Sequence, residues 1–492
     1  MAKVYKIHPG IGVARVGDSS DAFFIGPEIP GERGVVPTPK GEQPVERYKD
    51  ASGRILRQAA RFRVYEYERT DKGALRLLRE ITAADAEITW HVRLANRKAA
   101  SKGFASEMPR NPDVPEEELV IAPVFDPIVG ANQTAVASRA ARFMGTEVYL
   151  GELRTDAAGR LLVLGGHGHS ASVPTGKPIN SFANNPGWHD DVSDGPVTAT
   201  IRLPNGETRE VDAPSWVIVA PPDYAPAIGG ITTLYDIAVQ ASVTRGFEAP
   251  PATPSFKRDI LPILNRASRL RWVEQWAQWN SIPRDWTTLS RKGDPAASAL
   301  RQTAYALVKD AQDSGILNDF MFTEVQLAAL DAWLAENFVD DASAPEEPIG
   351  VTPGGLDRAA LDACVGGGFY PGIEAGEKMK TAAMYAERCR LTTAPFVNAE
   401  GEQETLVPGA LTARMAVPWQ ADFLKCGVGW WPSQRPSMVM RRPDDATPSA
   451  GWTRDIDDHT ELVEKFGRLG IIVPRRNAAG EEVLLEAERS EI

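Results

Sequence analysis

The chain has 492 residues, 43% hydrophobic and 24% charged, with 66 acidic against 54 basic residues and a net charge of −12. This is the composition of a globular chain long enough for two or three domains of roughly 100–200 residues each, and its acidity argues against nucleic acid or an anionic membrane as partner. There is no run of ~20 apolar residues to span a bilayer, the start MAKVYKIHPG lacks the apolar stretch of a secretory signal, and the three cysteines, Cys364, Cys389 and Cys426, cannot build a disulfide framework.

The default compartment is therefore reducing and cytoplasmic, with export lacking a recognisable signal as the other route. From the N-terminus, residues 1–250 read as β structure. Arg61 to Glu68 and Ile88 to Leu94 alternate polar with aromatic or branched residues, as half-buried strands do. Glu147 to Arg154 and Leu161 to Leu164 flank Thr155-Asp-Ala-Ala-Gly159 as a hairpin. Val197 to Leu203 and Glu207 to Val211 flank Pro204-Asn-Gly206, where Asn-Gly suits the φ > 0 pair of a tight turn. A run from Trp216 to Val219 enters Ala220-Pro-Pro-Asp223. Strands without intervening amphipathic helices favour antiparallel sheets in a sandwich-like arrangement.

After Ala249-Pro-Pro-Ala-Thr-Pro254 the character changes, and residues 251–349 read as a helical segment. Phe256 to Trp279 places Ile260, Leu264, Leu270, Val273, Trp276 and Trp279 at near-helical spacing; 297–312 and 323–338 repeat the pattern. An acidic, proline-containing linker at 340–350 leads into a mixed segment, 350–492. There the pattern predicts helices over Asp357 to Cys364, Glu377 to Cys389 and Asp458 to Leu469, then a hairpin centred on Asn477-Ala-Ala-Gly480. The fold class expected is α+β.

Two stretches of that last segment are unlike ordinary core. In Leu361 to Lys378, LDACVGGGFYPGIEAGEK, Cys364 is displayed on a turn before Gly366 to Gly368, glycines that let another backbone or a flat ring come close. In Met415 to Pro436, MAVPWQADFLKCGVGWWPSQRP, Trp419, Trp430, Trp431, Asp422 and Cys426 gather within a short span. Taken alone, a free cysteine is more often a small buried hydrophobe than a reactive thiol, and a tryptophan is more often core. The combination points to chemistry built from the protein's own side chains.

These stretches resemble the family of quinoprotein amino-acid oxidases that includes L-lysine ε-oxidase and glycine oxidase. The resemblance extends to Ile7-His-Pro-Gly-Ile-Gly-Val-Ala-Arg-Val-Gly17, Phe24 to Glu28, Gln58 to Tyr65, Trp90 to Asn96 and Trp188 to Pro196, in the family's order. It implies a cysteine tryptophylquinone cofactor, a Cys cross-linked to an oxidised Trp. Cys364 would supply the sulfur and Trp431 the ring, with Trp430 and Trp419 as the alternatives. It implies Asp422 as an acid beside the cofactor and a further acid shortly before the Cys; position 360 is Ala, so Asp362 is the nearer substitute, with Asp357 behind it. It also implies a flavin-dependent maturation enzyme as partner.

The expected reaction is oxidative deamination of a primary amine or amino acid, with Asp422 or Asp362 as base and dioxygen reduced to hydrogen peroxide. Lys378 could hold a substrate carboxylate and Glu374 a second amine. Two other readings follow from the residues. One is a quinone-free scaffold or peptide-binding relative of the same fold. The other is a metal enzyme at His167 and His169, which an extended segment would point to one face, with His189 as a third ligand from a neighbouring loop; histidines satisfying backbone groups at a hairpin end are the plainer account. A homo-oligomer is common for enzymes of this size.

Overall fold

The structure, a computed structural model, describes residues 2–104, 106–133, 136–137, 141–274, 276–313, 322–345, 350–366, 375–398, 401–425 and 433–491. Its N-terminal half is built on one branching sheet of fifteen strands. The organising strand is Arg57–Arg69, thirteen residues long. Its first half pairs with Leu161–Leu164, Phe23–Ile25 and Ile11–Arg15, and its second half with Lys3–His8 and Leu75–Ile81. From Ile11–Arg15 the sheet continues through Ser215–Ala220, Ser193–Arg202 and Glu87–Val92.

The β-rich half, the helices beyond it and the mixed C-terminal part agree with the sequence reading. The pairing is not uniformly antiparallel, however. Ile11–Arg15 runs parallel to Ser215–Ala220, and Phe23–Ile25 parallel to Arg57–Arg69. The reason is legible in Ser-Trp-Val-Ile-Val-Ala, an unbroken apolar run that suits a strand covered on both faces, the usual setting of parallel strands. Alternate residues of the central pair feed two different cores: Ile11, Val13, Trp216, Ile218 and Ala220 one, Ala14, Val16, Val217 and Val219 the other.

Both expected hairpins form, Thr155 opposite Leu161 and Arg202 opposite Thr208. At the second, only Gly206 takes a positive φ, of 85°, so the turn uses a single left-handed residue rather than the Asn-Gly pair.

The stretch from Phe256 is not one helix. A wide first turn, Phe256–Ile260, gives way to Leu261–Arg269, whose Pro262 is tolerated because it falls at the helix start. A tight turn at Leu270–Trp272 and a short helix at Ala277–Ser281 follow. Pro295–Asp313 and Glu324–Leu334 are helices as expected, the latter opened by a Thr323–Gln326 capping box. The helix expected over Glu377 to Cys389 is replaced by one turn, Gly376–Met379, and a small hairpin, Tyr385–Glu387 with Arg390–Leu391. Tertiary contacts override the local pattern there, because Arg390 reaches the carbonyls of Ile7 (2.6 Å) and Pro214 (2.6 Å), and Cys389 takes a φ of 58° to turn the chain. The helix His459–Lys465, capped by Asp458, and the hairpin Ile471–Arg476 with Glu482–Ala487 are as read. No helix among the described residues is long and apolar enough to cross a membrane.

Candidate active site

Helix Pro353–Asp362 lies over the central strands and delivers Cys364 at its end. Asp357 anchors that helix, accepting from the Gly10 amide (2.6 Å) and bonding His8 Nδ1 (3.0 Å), whose Nε2 meets the Tyr67 hydroxyl (3.1 Å). Cys364 is not displayed on an exposed turn; it is 2% exposed, in the buried cluster of Leu234, Leu361 and Met379. Its thiol donates to the Ala360 carbonyl (3.3 Å) and lies 3.8 Å from Arg15 Nη2. Beyond it the chain crosses to the other core, which contains Val365.

Backbone bonds hold this crossing. The Leu234 amide donates to the Cys364 carbonyl (3.1 Å), and the Gly366 amide to the Thr232 carbonyl (2.9 Å). A Cβ on Gly366 would collide with the Thr233 carbonyl, so the close backbone approach expected of these glycines is met at Gly366. Gly367, Gly368 and Glu374 lie outside the described residues.

Trp430, Trp431 and Cys426 also lie outside them, but both flanks of that block are described. On the N-terminal side, helix Trp419–Lys425 carries Trp419 and Asp422, both fully buried. Trp419 meets Phe423 and Phe466 edge-on at centroid distances of 5.0 and 5.3 Å, in a cluster separate from that of Cys364. The helix is docked by Asp190, which accepts from the Trp419 amide (3.0 Å), from Asn96 and from Lys98 (2.8 Å) in a fully buried ion pair. The Trp188 block and the Trp90 to Asn96 block thus meet here.

On the C-terminal side, Ser433, Gln434 and Arg435 are buried. The Tyr224 amide donates to the Gln434 carbonyl (2.9 Å), and Arg435 bonds the carbonyls of Phe423 and Leu424. The two blocks approach each other at Gly230. A Cβ placed there would lie 3.6 Å from Val365 Cα and 3.5 Å from Ser433 Oγ, and the Ser433 hydroxyl is buried with no protein partner among the described residues.

The other candidates are already engaged. Asp362 accepts from Arg358 (2.8 Å) and Thr233 (3.2 Å) and lies near Arg266. Lys378 is bound by both oxygens of Glu404 (2.5 and 2.6 Å). His167 stacks on Tyr149 at 5.1 Å, and burial holds it below the ordinary imidazole range. His189, buried beside Phe143, is pushed down to about 4 by desolvation. No group of three or more His, Cys, Asp or Glu suited to a metal occurs among the described residues.

Sequence reasoning passed over Arg15, Asp223 and Gly230. Arg15 was visible as a lone charge in an apolar strand, where a buried cation requires partners; nothing local marks Gly230.

Residues 8–219 match the family model described as L-Lysine epsilon oxidase N-terminal, and residues 306–442 that described as L-lysine epsilon oxidase C-terminal domain. L-lysine 6-oxidase from Marinomonas mediterranea is 28% identical over 539 residues, spanning 86% of this chain and 71% of its own length. Two solved structures of L-Lys epsilon-oxidase from that organism, one of them the Schiff base intermediate with L-Lys, cover 99% of this chain and 95% of their own. Their TM-scores are 0.75 and 0.76 at 23% and 22% identity, a likeness of fold.

Proposed function

We propose, for a chain that belongs to the L-lysine epsilon-oxidase family through both its N-terminal and its C-terminal domain, oxidation of a free amino acid by a cysteine tryptophylquinone made from Cys364 and Trp431. That the enzyme is an amino-acid oxidase is the coarser conclusion on which the cofactor rests. The observation that carries the cofactor is the meeting at Gly230 of the residue after Cys364 with the second residue after Trp431. Trp419 is the weaker partner, being in a separate cluster from Cys364.

A quinone of this kind accepts two electrons from a primary amine and passes them to dioxygen, consuming water and giving a carbonyl product, ammonia and hydrogen peroxide. The chain's own part is to hold the reactants and move protons. Asp422, fully buried, is the first candidate to take the proton from the carbon that bears the amine; Asp362, tied to Arg358 and Thr233, is the second. Lys378 can hold a substrate carboxylate only by exchanging Glu404 for it. Cys364 fixes the ring to the end of a buried helix, a rigid support of the sort precise sites need. A flavin-dependent partner would install the oxygens on Trp431.

The alternative, the same scaffold without the quinone, rests on Ala360 in place of an acid. Intact mass and peptide mapping of protein produced with and without the maturation enzyme decide between them. The expected result is a Cys364–Trp431 peptide carrying two added oxygens, together with visible absorbance, only when the partner is present. The unmodified mass in fully processed material overturns the cofactor.

A further inference from the structure

Arg15 leaves the end of the strand Ile11–Arg15 and is 3% exposed. Its Nη1 donates to the Pro221 carbonyl (3.0 Å), and its Nη2 donates to the Ala363 carbonyl (3.1 Å) and points at Cys364 Sγ (3.8 Å). One guanidinium thus ties the residue before Cys364, and its sulfur, to the Pro221-Pro222-Asp223-Tyr224 segment. That segment also holds the far side of the tryptophan block, since the Tyr224 amide donates to the Gln434 carbonyl (2.9 Å) and Gln434 Nε2 to the Pro222 carbonyl (3.5 Å). Arg15 and Asp223 both line a cavity of about 20 Å³, room for roughly one water, together with Tyr48 and Gln58.

We propose that Arg15 and Asp223 are the positioning pair of the site: Arg15 fixes the direction of the Cys364 sulfur, and Asp223, half-buried beside the same small cavity, supplies the negative charge that keeps Arg15 and the 221–224 segment in place between the cysteine and tryptophan blocks. The inference rests on the Cys364–Trp431 cross-link proposed above and adds the residues that set its geometry. The guanidinium suits this role because its planar donors serve two carbonyls and a sulfur at once, which an ammonium cannot do.

Burial pushes the Asp223 carboxyl up to about 6, with Arg15 and the Ala225 amide acting against that rise. Of the groups facing it, Tyr48 is pushed well above its ordinary value by burial and stays protonated, with Arg33 and Glu488 acting on it in opposite directions, and Gln58 is neutral. Below about pH 6, therefore, Asp223 becomes neutral and its attraction for Arg15 weakens.

The test uses the full chain with its maturation enzyme, and Arg15→Met, Arg15→Lys and Asp223→Asn. Thermal unfolding checks that each precursor is folded. Arg15→Met is expected to lower the yield of cross-linked peptide by about tenfold or more, and Arg15→Lys to recover part of it. Wild-type maturation should slow as the pH falls through about 6, the value for Asp223, whereas Asp223→Asn should be slow and flat across that range. Wild-type yield in Arg15→Met overturns the proposal. If that variant does not fold, a wild-type yield and profile in Asp223→Asn overturns it instead.

A second readout does not depend on the quinone. In precursor labelled with [3-13C]cysteine, the Cys364 signal, assigned by its loss in Cys364→Ser, should be single in the wild type and broadened or split in Arg15→Lys; an unchanged signal also overturns the proposal. A wild type that never cross-links refutes the cofactor, while this signal still decides the role of Arg15.

Discussion

Because Cys364 is buried, its removal has two separable effects. Cys364→Ala should abolish the visible absorbance and the amine-dependent formation of peroxide. It should also lower unfolding stability in urea by about 1 kcal/mol, as the lost sulfur leaves a small void. A second residue carries a pH signature. Burial and the neighbouring Asp190 push Asp191 up to about 7, against roughly 3.9 in an unfolded chain. The folded state therefore favours the protonated acid, and this contribution, complete below about pH 4, is lost as the pH rises through about 7. Asp191→Asn should accordingly stabilise the protein at pH 8 by on the order of 2 kcal/mol and change little at pH 4, read as the difference in Tm between variant and wild type. Cys364, Asp422 and Asp362 stand out from their sequence context as candidates. Arg15 stands out there only as a lone charge in an apolar strand and Asp223 not at all, because their contacts join residues more than two hundred positions apart, with Pro221 as the link.

At the scale of elements, strands and turns were the most legible part. Alternation marked Arg61 to Glu68 within Arg57–Arg69, and the turn residues marked both hairpins. What failed was the pattern that looked helical where tertiary contacts decide: Glu377 to Cys389 forms a turn and a hairpin because Arg390 bonds backbone carbonyls of distant strands. The helix Trp419–Lys425 shows the opposite case, a short element made stable by what docks it. Its first amide is bound by Asp190, which Lys98 neutralises in a fully buried pair. Lys98→Met should cost about 3–5 kcal/mol, since Asp190 then keeps a buried charge without its cation. Undocking of the helix would also move Asp422, so the same variant should lose oxidase activity at temperatures where it is still folded. A variant as stable and as active as the wild type would show that the pair is dispensable.

On the scale of the whole molecule, one buried cluster draws residues from Tyr5 to Leu484, across all three sequence segments. The hairpin Ile471–Arg476 with Glu482–Ala487 contributes Ile471, Ile472, Val473 and Leu484 to it, and its Ile472 amide donates to the Tyr224 carbonyl (2.7 Å). A chain ending at residue 470 should therefore bind a hydrophobic dye, lose its sharp thermal transition and yield no quinone; a cooperative transition in that truncation would refute the dependence. The bond from Ile472 to Tyr224 also has a temporal meaning. Arg15, Asp223, Cys364 and Gln434 emerge from the ribosome in that order, and the strand that fastens Tyr224 comes last. A half-made chain thus has no assembled pocket, and an oxidising partner that reads the assembled pocket would leave nascent protein untouched. The late hairpin would then act as a seal, confining that oxidation to folded molecules.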